Sequence, residues 1–162
     1  EIAERRKTPT IYTPQLVLSG QDVRGTGAIR SRIRELNEGQ PQATITLAVN
    51  ASGTDVVDLD LDILVQDKKL RANAALFIVL IENRLTSQVK AGENTGKTLQ
   101  HDYVVRRLVG PLSLTDAASA SRHSVEITIP GSVKRENAGI VAFVQNTDDG
   151  SVLQALSAPL MR

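Results

Sequence analysis

A glycine-rich loop carries the residue types that most suggest chemistry in this chain. Residues 91–98 read Ala-Gly-Glu-Asn-Thr-Gly-Lys-Thr, which fits a loose phosphate-loop pattern with Ala91 in place of the first glycine. In a phosphate loop, Lys97 would neutralise phosphate charge and Thr98 would hold magnesium. The residues that follow form an alternating β-branched run instead of a helix, so we expect a loop between strands. A nucleotide enzyme is therefore only the third hypothesis for this chain.

The neighbouring pair His101-Asp102 suggests a general base with its orienting carboxylate. Adjacent residues of a strand point to opposite faces of the sheet, so the two side chains are poorly placed to pair. We expect His101 to make a hydrogen bond at a strand end or in a loop instead. Together with Glu93, Asn94 and Lys97, these two residues form the candidate functional loop. No Gly-x-Ser-x-Gly nucleophile elbow occurs, and no residue is predicted to be catalytic.

Three aspartates at alternate positions resemble the start of a calcium-binding loop. They are Asp58, Asp60 and Asp62, and the sixth position of such a loop requires glycine, where Ile63 stands here. The aspartates also alternate with Val and Leu, which is typical of the solvent face of a strand. We expect an open carboxylate face that serves as a contact surface or binds a cation weakly.

The cysteine and histidine counts remove most metal and redox chemistry from this chain. With no cysteine, the chain itself forms no disulfide, no thiolate zinc site and no thiol nucleophile. Two histidines, His101 and His123, are too few for a histidine-rich metal site. We therefore predict no metal and no cofactor for this chain.

Charge and aromatic content argue against two classes of partner. A net charge of +1 predicts no strong attraction to nucleic acid, and two Phe, two Tyr and no Trp leave few stacking platforms. No apolar run approaches the roughly 20 residues of a membrane-spanning helix. We expect neither a nucleic-acid partner nor a membrane span. The chain begins with Glu1 and shows no signal peptide, so we expect a processed or excised piece of a longer protein.

One segment has clear helical periodicity. Thr26 is the candidate N-cap, and Ile29, Ile33 and Leu36 follow at helical spacing on one apolar face. Residues 39–41, Gly-Gln-Pro, end the predicted helix. The apolar face must be covered by the rest of the chain, by a second copy or by a missing segment, so we expect the isolated chain to dimerise.

After residue 42 the apolar period changes from 3.6 to 2, which is typical of half-buried strands. Residues 74–81 are continuously apolar and predict a central strand that is covered on both faces. Residues 146–150, Asn-Thr-Asp-Asp-Gly, predict a hairpin turn. The predicted strands comprise about seven segments of an antiparallel sandwich, chiefly within 44–49, 57–63, 74–81, 103–108, 125–129, 140–145 and 152–157.

The segment before the helix contains a Thr-Pro step followed by two short strands. Thr13-Pro14 precedes a predicted strand at 16–18, a turn at 19–21 and a second strand at Val23. This order, ending in a helix, is that of the last third of a thioredoxin fold. Although X-Pro bonds are cis in only about 5–6% of cases, this order makes Thr13 and Pro14 a candidate cis-proline region.

Two stretches carry a resemblance to a known family. Residues 12–20 and 92–106 resemble the secreted thioredoxin-like family catalogued as domain of unknown function 1223. The resemblance implies a thioredoxin-type domain with a cysteine motif, followed by a β-rich C-terminal domain, and a periplasmic or secreted location. The half that would hold the cysteines is absent here. Only Thr13 and Pro14 are carried over, as the cis-proline position beside that missing site.

These observations predict a mainly β chain with two parts: residues 1–38 as the ββα portion of a thioredoxin-like domain, and residues 42–162 as an antiparallel β-sandwich. The first functional hypothesis is a non-catalytic interaction or substrate-positioning module of a periplasmic thioredoxin-like protein. Its partner would be another protein or the missing N-terminal segment. The alternative is a free-standing sandwich that binds a protein or a carbohydrate through its loops, chiefly residues 90–100.

Overall fold

The computed structural model describes residues 15–51, 53–114 and 119–160 of the chain. The described part is mainly β. Its strands and helices, in chain order, are β1 (Val17–Leu18), β2 (Gln21–Asp22), α1 (Thr26–Glu38), β3 (Thr44–Ala51), β4 (Val56–Leu64), α2 (Lys68–Ala72), β5 (Ala74–Glu82), β6 (Leu85–Gln88), β7 (Thr98–His101), β8 (Val104–Ser113), β9 (Ala120–Thr128), β10 (Ala138–Asn146) and β11 (Val152–Pro159). A short 3₁₀ turn spans Arg135–Asn137. The candidate cis-proline region, Thr13 and Pro14, lies outside the described residues.

Two antiparallel sheets form the sandwich. One has four strands in the order β11-β10-β5-β8, and the other has three in the order β3-β4-β9. Every neighbouring pair in both sheets is antiparallel. The predicted antiparallel sandwich of about seven strands is therefore confirmed. The pairs β1–β2 and β6–β7 form two separate hairpins beside it.

Strand β4 shows how alternation builds the core. Its apolar side chains, Val57, Leu59, Leu61 and Ile63, are buried against the opposite sheet, and the aspartates between them face solvent. Full burial of each such side chain contributes about 1.5–3 kcal/mol relative to exposure. The predicted aspartate face of this strand is thereby confirmed.

Strand β5 is central in its sheet and buried along its whole length, as its continuous apolar sequence predicted. Leu76, Ile78 and Leu80 point into the core between the sheets. The intervening side chains lie on the outer face of the four-stranded sheet. There Phe77 stacks on Phe143 of β10, with ring centroids 5.2 Å apart. The four-stranded sheet therefore has a second apolar layer on its outer face.

Two details of the N-terminal part differ from the sequence-based expectation. Thr26 is the first helical residue, while Gly25 occupies the N-cap position at φ 84° and no side chain caps the helix. The second strand of the hairpin lies at Gln21–Asp22 and ends before Val23. Helix α1 does end at Gly39, as predicted.

Helix α1 exposes its apolar face. No described residue of the helix is buried, and Ile33 and Leu36 are 43% and 38% exposed. The sandwich therefore does not cover the stripe that the helical spacing predicted. The proposed division at residues 39–42 stays a prediction.

The β1–β2 hairpin contacts the sandwich through its turn. The amide of Val152 donates to Ser19 Oγ at 2.9 Å. Gly20, at φ +74°, lies so close to Gly150 that an added Cβ would overlap the Gly150 carbonyl. Glycine is thus required at position 20 for the close backbone approach between the two parts.

The β10–β11 turn should weaken in acid. The hydroxyl and the amide of Ser151 both donate to Asp149 Oδ1, at 2.7 and 2.8 Å, and these bonds lower the pKa of Asp149. A lowered pKa in the folded state contributes stability that is present above the ordinary carboxyl range and is lost as the pH falls through the lowered value. We expect the stability difference between the wild type and Asp149→Asn, measured by urea unfolding, to shrink as the pH falls. A difference that is constant over this range would contradict the assignment.

Candidate functional site

A two-stranded arm, residues 85–101, extends from the end of β5. Strands β6 and β7 pair from Leu85 with His101 to Gln88 with Thr98, and most of their side chains are exposed. Two backbone bonds close the arm, from the Val89 amide to the Lys97 carbonyl and from the Gly96 amide to the Val89 carbonyl. The arm contains most of the predicted functional loop.

The glycine-rich tip of the arm satisfies its own polar groups. Lys97 Nζ donates to Asn94 Oδ1 at 2.9 Å, and Thr95 Oγ1 donates to the Gly92 carbonyl at 2.6 Å. Strand β7 starts directly at Thr98, so no helix N-terminus faces this loop. Because a phosphate loop needs that helix start, the tip lacks the geometry of a nucleotide site.

His101 and Asp102 bind different partners. His101 Nε2 lies 2.8 Å from Ser87 Oγ on the paired strand. Asp102 Oδ1 instead accepts a hydrogen bond from the Arg84 amide at 2.9 Å. The two residues therefore do not form a base and its orienting carboxylate, and each makes a local bond at the strand end.

The base of the arm is fixed by a reciprocal pair of hydrogen bonds, which we term the clasp. Asp102 accepts from the Arg84 amide, and Asn83 Oδ1 accepts from the Tyr103 amide at 2.8 Å. The Asn83 amide donates to the Asn137 carbonyl, which ties the clasp to the sandwich. Arg84 and Tyr103 both have a left-handed backbone, at φ 58° and 56°. Such conformations are uncommon for non-glycine residues and cluster at ligand clamps and active sites.

Removal of one side of the clasp should loosen the arm without unfolding the sandwich. In Asp102→Ala the Arg84 amide exchanges its acceptor for water while its backbone stays strained, so we expect a local cost of about 0.5–1.5 kcal/mol. Hydrogen exchange should be faster at the arm amides and unchanged at Leu80 in the core. Asp102→Asn, which keeps an acceptor oxygen, is the matched control. Equal exchange in Asp102→Ala and the wild type would contradict a role of the clasp.

A cleft of about 290 Å³ lies beside the clasp, and we term it the base cleft. Arg84 and Tyr103 line one part of it, and Glu136 of the 3₁₀ turn lines another. Ile81 and Pro159 contribute apolar surface. The cleft therefore combines an aromatic ring and two opposite charges with an apolar wall, which is a composition suited to binding a polypeptide surface.

Three exposed apolar side chains continue from the base cleft along β8, and we term them the β8 patch. Tyr103, Val105 and Leu108 are 72%, 60% and 56% exposed. Val105 pairs with Ile81, and Leu108 pairs with Val79, so both lie on the outer face of the four-stranded sheet. A register shift in β8 interrupts the alternation of side chains between the two faces of the sheet. Val105 and Leu108, three positions apart, consequently lie on the same exposed face.

A second cleft, of about 590 Å³, separates α1 from β11. Leu36, Gly39 and Gln42 line one side of it, and Val152 and Gln154 line the other. Its size agrees with the sparse contact between the helix and the sandwich. It has no convergent set of charged groups.

The aspartate face of β4 is occupied by cross-strand partners. Arg122 Nε donates to Asp62 Oδ1 at 2.7 Å, and this hydrogen bond lowers the pKa of Asp62. Ser124 Oγ donates to Asp60 Oδ1, also at 2.7 Å. Among the described residues no group of three or more acidic or histidine side chains is arranged to hold a metal ion.

One buried ion pair anchors the end of β5. Glu82 is 1% exposed and accepts from Arg106 at 2.8 Å and from the Lys134 amide at 2.8 Å. Arg106 also donates to Ser132 Oγ at 2.7 Å. Glu82 directly precedes the clasp residue Asn83, so this network holds the base of the arm against the sandwich.

A family model described as Protein of unknown function (DUF1223) matches residues 1–145. The chain belongs to this family. The DUF1223 chain is also similar in structure to HBP35 of Porphyromonas gingivalis, with 14% identity and a TM-score of 0.71 over 98% of this chain. The match spans 60% of that HBP35 chain.

A domain of the outer membrane lipoprotein Omp28 from Porphyromonas gingivalis is a second structural neighbour. It has 14% identity and a TM-score of 0.54, over 74% of the DUF1223 chain and 88% of the Omp28 domain. At these identities the likeness concerns the fold alone. No curated protein matches the chain. Within the described residues, no helix has the length and apolar character required to span a membrane.

The DUF1223 chain distributes the predicted functional residues over two places. Glu93, Asn94 and Lys97 lie at the tip of the arm, while His101 and Asp102 lie at its base. The structure therefore does not bring the five together. Whether they bind a ligand stays a prediction.

Sequence reasoning missed the residues of the DUF1223 chain that gather at the base cleft. Arg84, Tyr103 and Glu136 are far apart in the sequence, and only the fold places them around one cleft. Asn83 and Asp102 each stand immediately before a left-handed residue. An Asx residue at such a position is a turn signal, and it offered the one local indication of the clasp.

Proposed function

We propose that this chain is a non-catalytic interaction or substrate-positioning module of a thioredoxin-like protein of the cell envelope. The observation that carries the proposal is the uncovered apolar face of α1, where Ile33 and Leu36 are 43% and 38% exposed. An amphipathic helix of 13 residues is marginally stable unless its apolar face packs on other structure.

A thioredoxin-like half that precedes β1 would supply the missing cover. The order β1, β2, α1 is that of the last third of a thioredoxin fold, in which the final helix packs on a sheet built largely from the earlier part. In this proposal residues 1–38 complete that domain, residues 42–162 are the sandwich, and Thr13 and Pro14 lie beside cysteines of the preceding half. The structural likeness to HBP35, whose chain extends well beyond the match, supports a longer parent protein.

A periplasmic or secreted location is part of the same proposal. It rests on the resemblance to a secreted thioredoxin-like family and on the fold shared with a domain of an outer membrane lipoprotein. Thiol–disulfide chemistry also requires an oxidising compartment if it is to produce lasting disulfides. The sandwich would position a protein partner for that chemistry and would carry no reacting group of its own.

Hydrogen exchange of α1 tests the proposal. We expect the amides of residues 29–36 to exchange quickly in this 162-residue chain and to become protected in the full-length protein from its source. The amide of Leu80 in the sandwich core is the internal control and should be protected equally in both. An unprotected α1 in both proteins would contradict the proposal and favour a free-standing sandwich.

The second candidate function is a free-standing sandwich that binds a protein or a carbohydrate through its loops. The exposed arm and the preorganised clasp favour it, since both remain intact without any preceding domain. This function requires the 162-residue chain to bind its ligand with the affinity of the full-length protein. A glycan array and a pull-down from periplasmic extract would compare the binding of the two proteins. Asp102→Ala would be included in each experiment as the variant with a loosened arm. Binding seen only with the full-length protein would exclude it.

A further inference from the structure

The geometry points to a second role of the sandwich, which is self-association through the base cleft and the β8 patch. We infer that two copies of this chain dock around a two-fold axis that passes near Tyr103. This inference is independent of the proposed thioredoxin-like half, because it concerns the face of the sandwich formed by β8 and the base of the arm.

The distribution of exposed apolar side chains selects this face. Among the described residues, every exposed large hydrophobic side chain after Leu36 lies between Leu99 and Leu108. Tyr103 alone, at 72% exposure, offers an area on the order of 150 Å². Exposed apolar groups concentrated in one place mark interaction surfaces, whereas scattered ones are ordinary.

The charges at the base cleft favour a second copy as the occupant. Arg84 and Glu136 line the same cleft beside Tyr103, and within the described residues neither side chain forms an ion pair. In a two-fold interface every contact between two different residues occurs twice, once on each side of the axis. Arg84 of each copy can therefore approach Glu136 of the other. A surface with both charges beside an apolar centre is thereby complementary to itself.

Preorganisation lowers the entropic cost of this contact. The clasp fixes the backbone of Arg84 and Tyr103 through the acceptors Asp102 and Asn83. Tyrosine and arginine are among the residue types that dominate interface energetics, and the backbone that carries them here is already ordered. The register shifts in β8 disfavour simple edge-to-edge strand pairing, so we expect contact through the outer face of the sheet.

Sedimentation velocity over a range of concentrations tests the inference. The patch is small beside the roughly 800 Å² per partner of a standard interface, so we expect a reversible monomer–dimer equilibrium in the micromolar range. The apparent mass should rise from 17.5 kDa toward twice that value with concentration. A monomer at every concentration would overturn the inference and leave a different protein or a carbohydrate as the ligand of this face.

Two sets of variants locate the interface. The double variant Val105→Glu and Leu108→Glu places like charges in the patch, so the dissociation constant should rise at least about 100-fold, equivalent to a loss of about 2.7 kcal/mol. Ile33→Glu with Leu36→Glu is the matched control on α1 and should leave the equilibrium unchanged. Circular dichroism confirms that each variant is folded. Dissociation by the α1 pair alone would assign the dimer to the helix and overturn the inference.

A charge exchange distinguishes a specific pair from general repulsion. Arg84→Glu and Glu136→Arg should each raise the dissociation constant about tenfold, and the combined variant should restore it to within about threefold of the wild type. If the combined variant loses as much binding free energy as the two single variants together, Arg84 and Glu136 do not meet across the axis. The two-fold arrangement is then wrong.

Discussion

Replacement of Glu82 by alanine is expected to lower the free energy of unfolding of the chain by about 3–5 kcal/mol. Glu82 is 1% exposed and is bound by the guanidinium of Arg106 and by the Lys134 amide. In Glu82→Ala both donors lose their acceptor. Because the Arg106 side chain is 23% exposed, solvent relieves part of its charge, and we expect a value near the lower end of this range.

A surface ion pair supplies the control for this prediction. Arg122 and Asp62 are similarly close, at 2.7 Å against 2.8 Å for the Glu82 pair, but their side chains are 77% and 55% exposed. Solvent screens this pair, so Asp62→Ala should leave the urea midpoint essentially unchanged. Equal destabilisation by the two substitutions would show that burial does not set the strength of the Glu82 pair. The double variant Glu82→Leu and Arg106→Leu should recover much of the loss, since no buried charge remains unpaired.

The second large effect is expected at Gly20. In Gly20→Ala the new Cβ overlaps backbone atoms of Gly150, which cannot move as a side chain would, and φ +74° is unfavourable for alanine. We expect the docking of the β1–β2 turn onto the sandwich to weaken by about 2–5 kcal/mol, as the sum of overpacking and backbone strain. The sandwich core should keep its stability because none of its buried contacts changes.

The Val152 amide reports this docking directly, since it donates to Ser19 Oγ. Its hydrogen exchange should accelerate in Gly20→Ala, while that of Leu80 stays constant. Gly25→Ala is the matched control, because Gly25 has a similar φ of +84° but nothing within 4 Å of the added Cβ. Slow exchange of Val152 in Gly20→Ala would contradict the close approach of Gly20 and Gly150.

The sandwich was predictable because its strands carry strong periodicity. The alternation in β4 and the continuous apolar run in β5 each follow from the burial of one or both sheet faces. The hairpin β10–β11 followed from its turn residues, and the end of α1 from Gly39. In these segments local propensity and tertiary packing favour the same structure.

The arm and the second helix were not predicted, because little apolar surface defines them. Strands β6 and β7 are short and mostly exposed, so burial imposes no alternation on them. Helix α2 has five residues and depends on the side chain of Asp67, which accepts from two amides of its first turn. The predicted N-cap of α1, Thr26, was one residue too late. Gly25 occupies the N-cap position with a positive φ and without a side-chain hydrogen bond, so the hydroxyl of Thr26 was a misleading signal.

The sequence predicted only part of the candidate site, and the reason is physical. Sequence patterns find residues that are close along the chain, and these led to the loop at 90–100. The cleft instead joins Arg84, Tyr103 and Glu136 through the pairing of distant strands. The exposure of the β8 patch follows from irregular register, which alternation alone does not reveal.

We propose above all that this chain belongs to a thioredoxin-like parent and positions a partner for it. The most direct measurement is the intact mass and N-terminal sequence of the protein as its source cell makes it. We expect a longer chain with two closely spaced cysteines upstream of Thr13 and Pro14. A mature protein that begins near Glu1, or a longer one without paired cysteines, would contradict the claim and leave a binding sandwich.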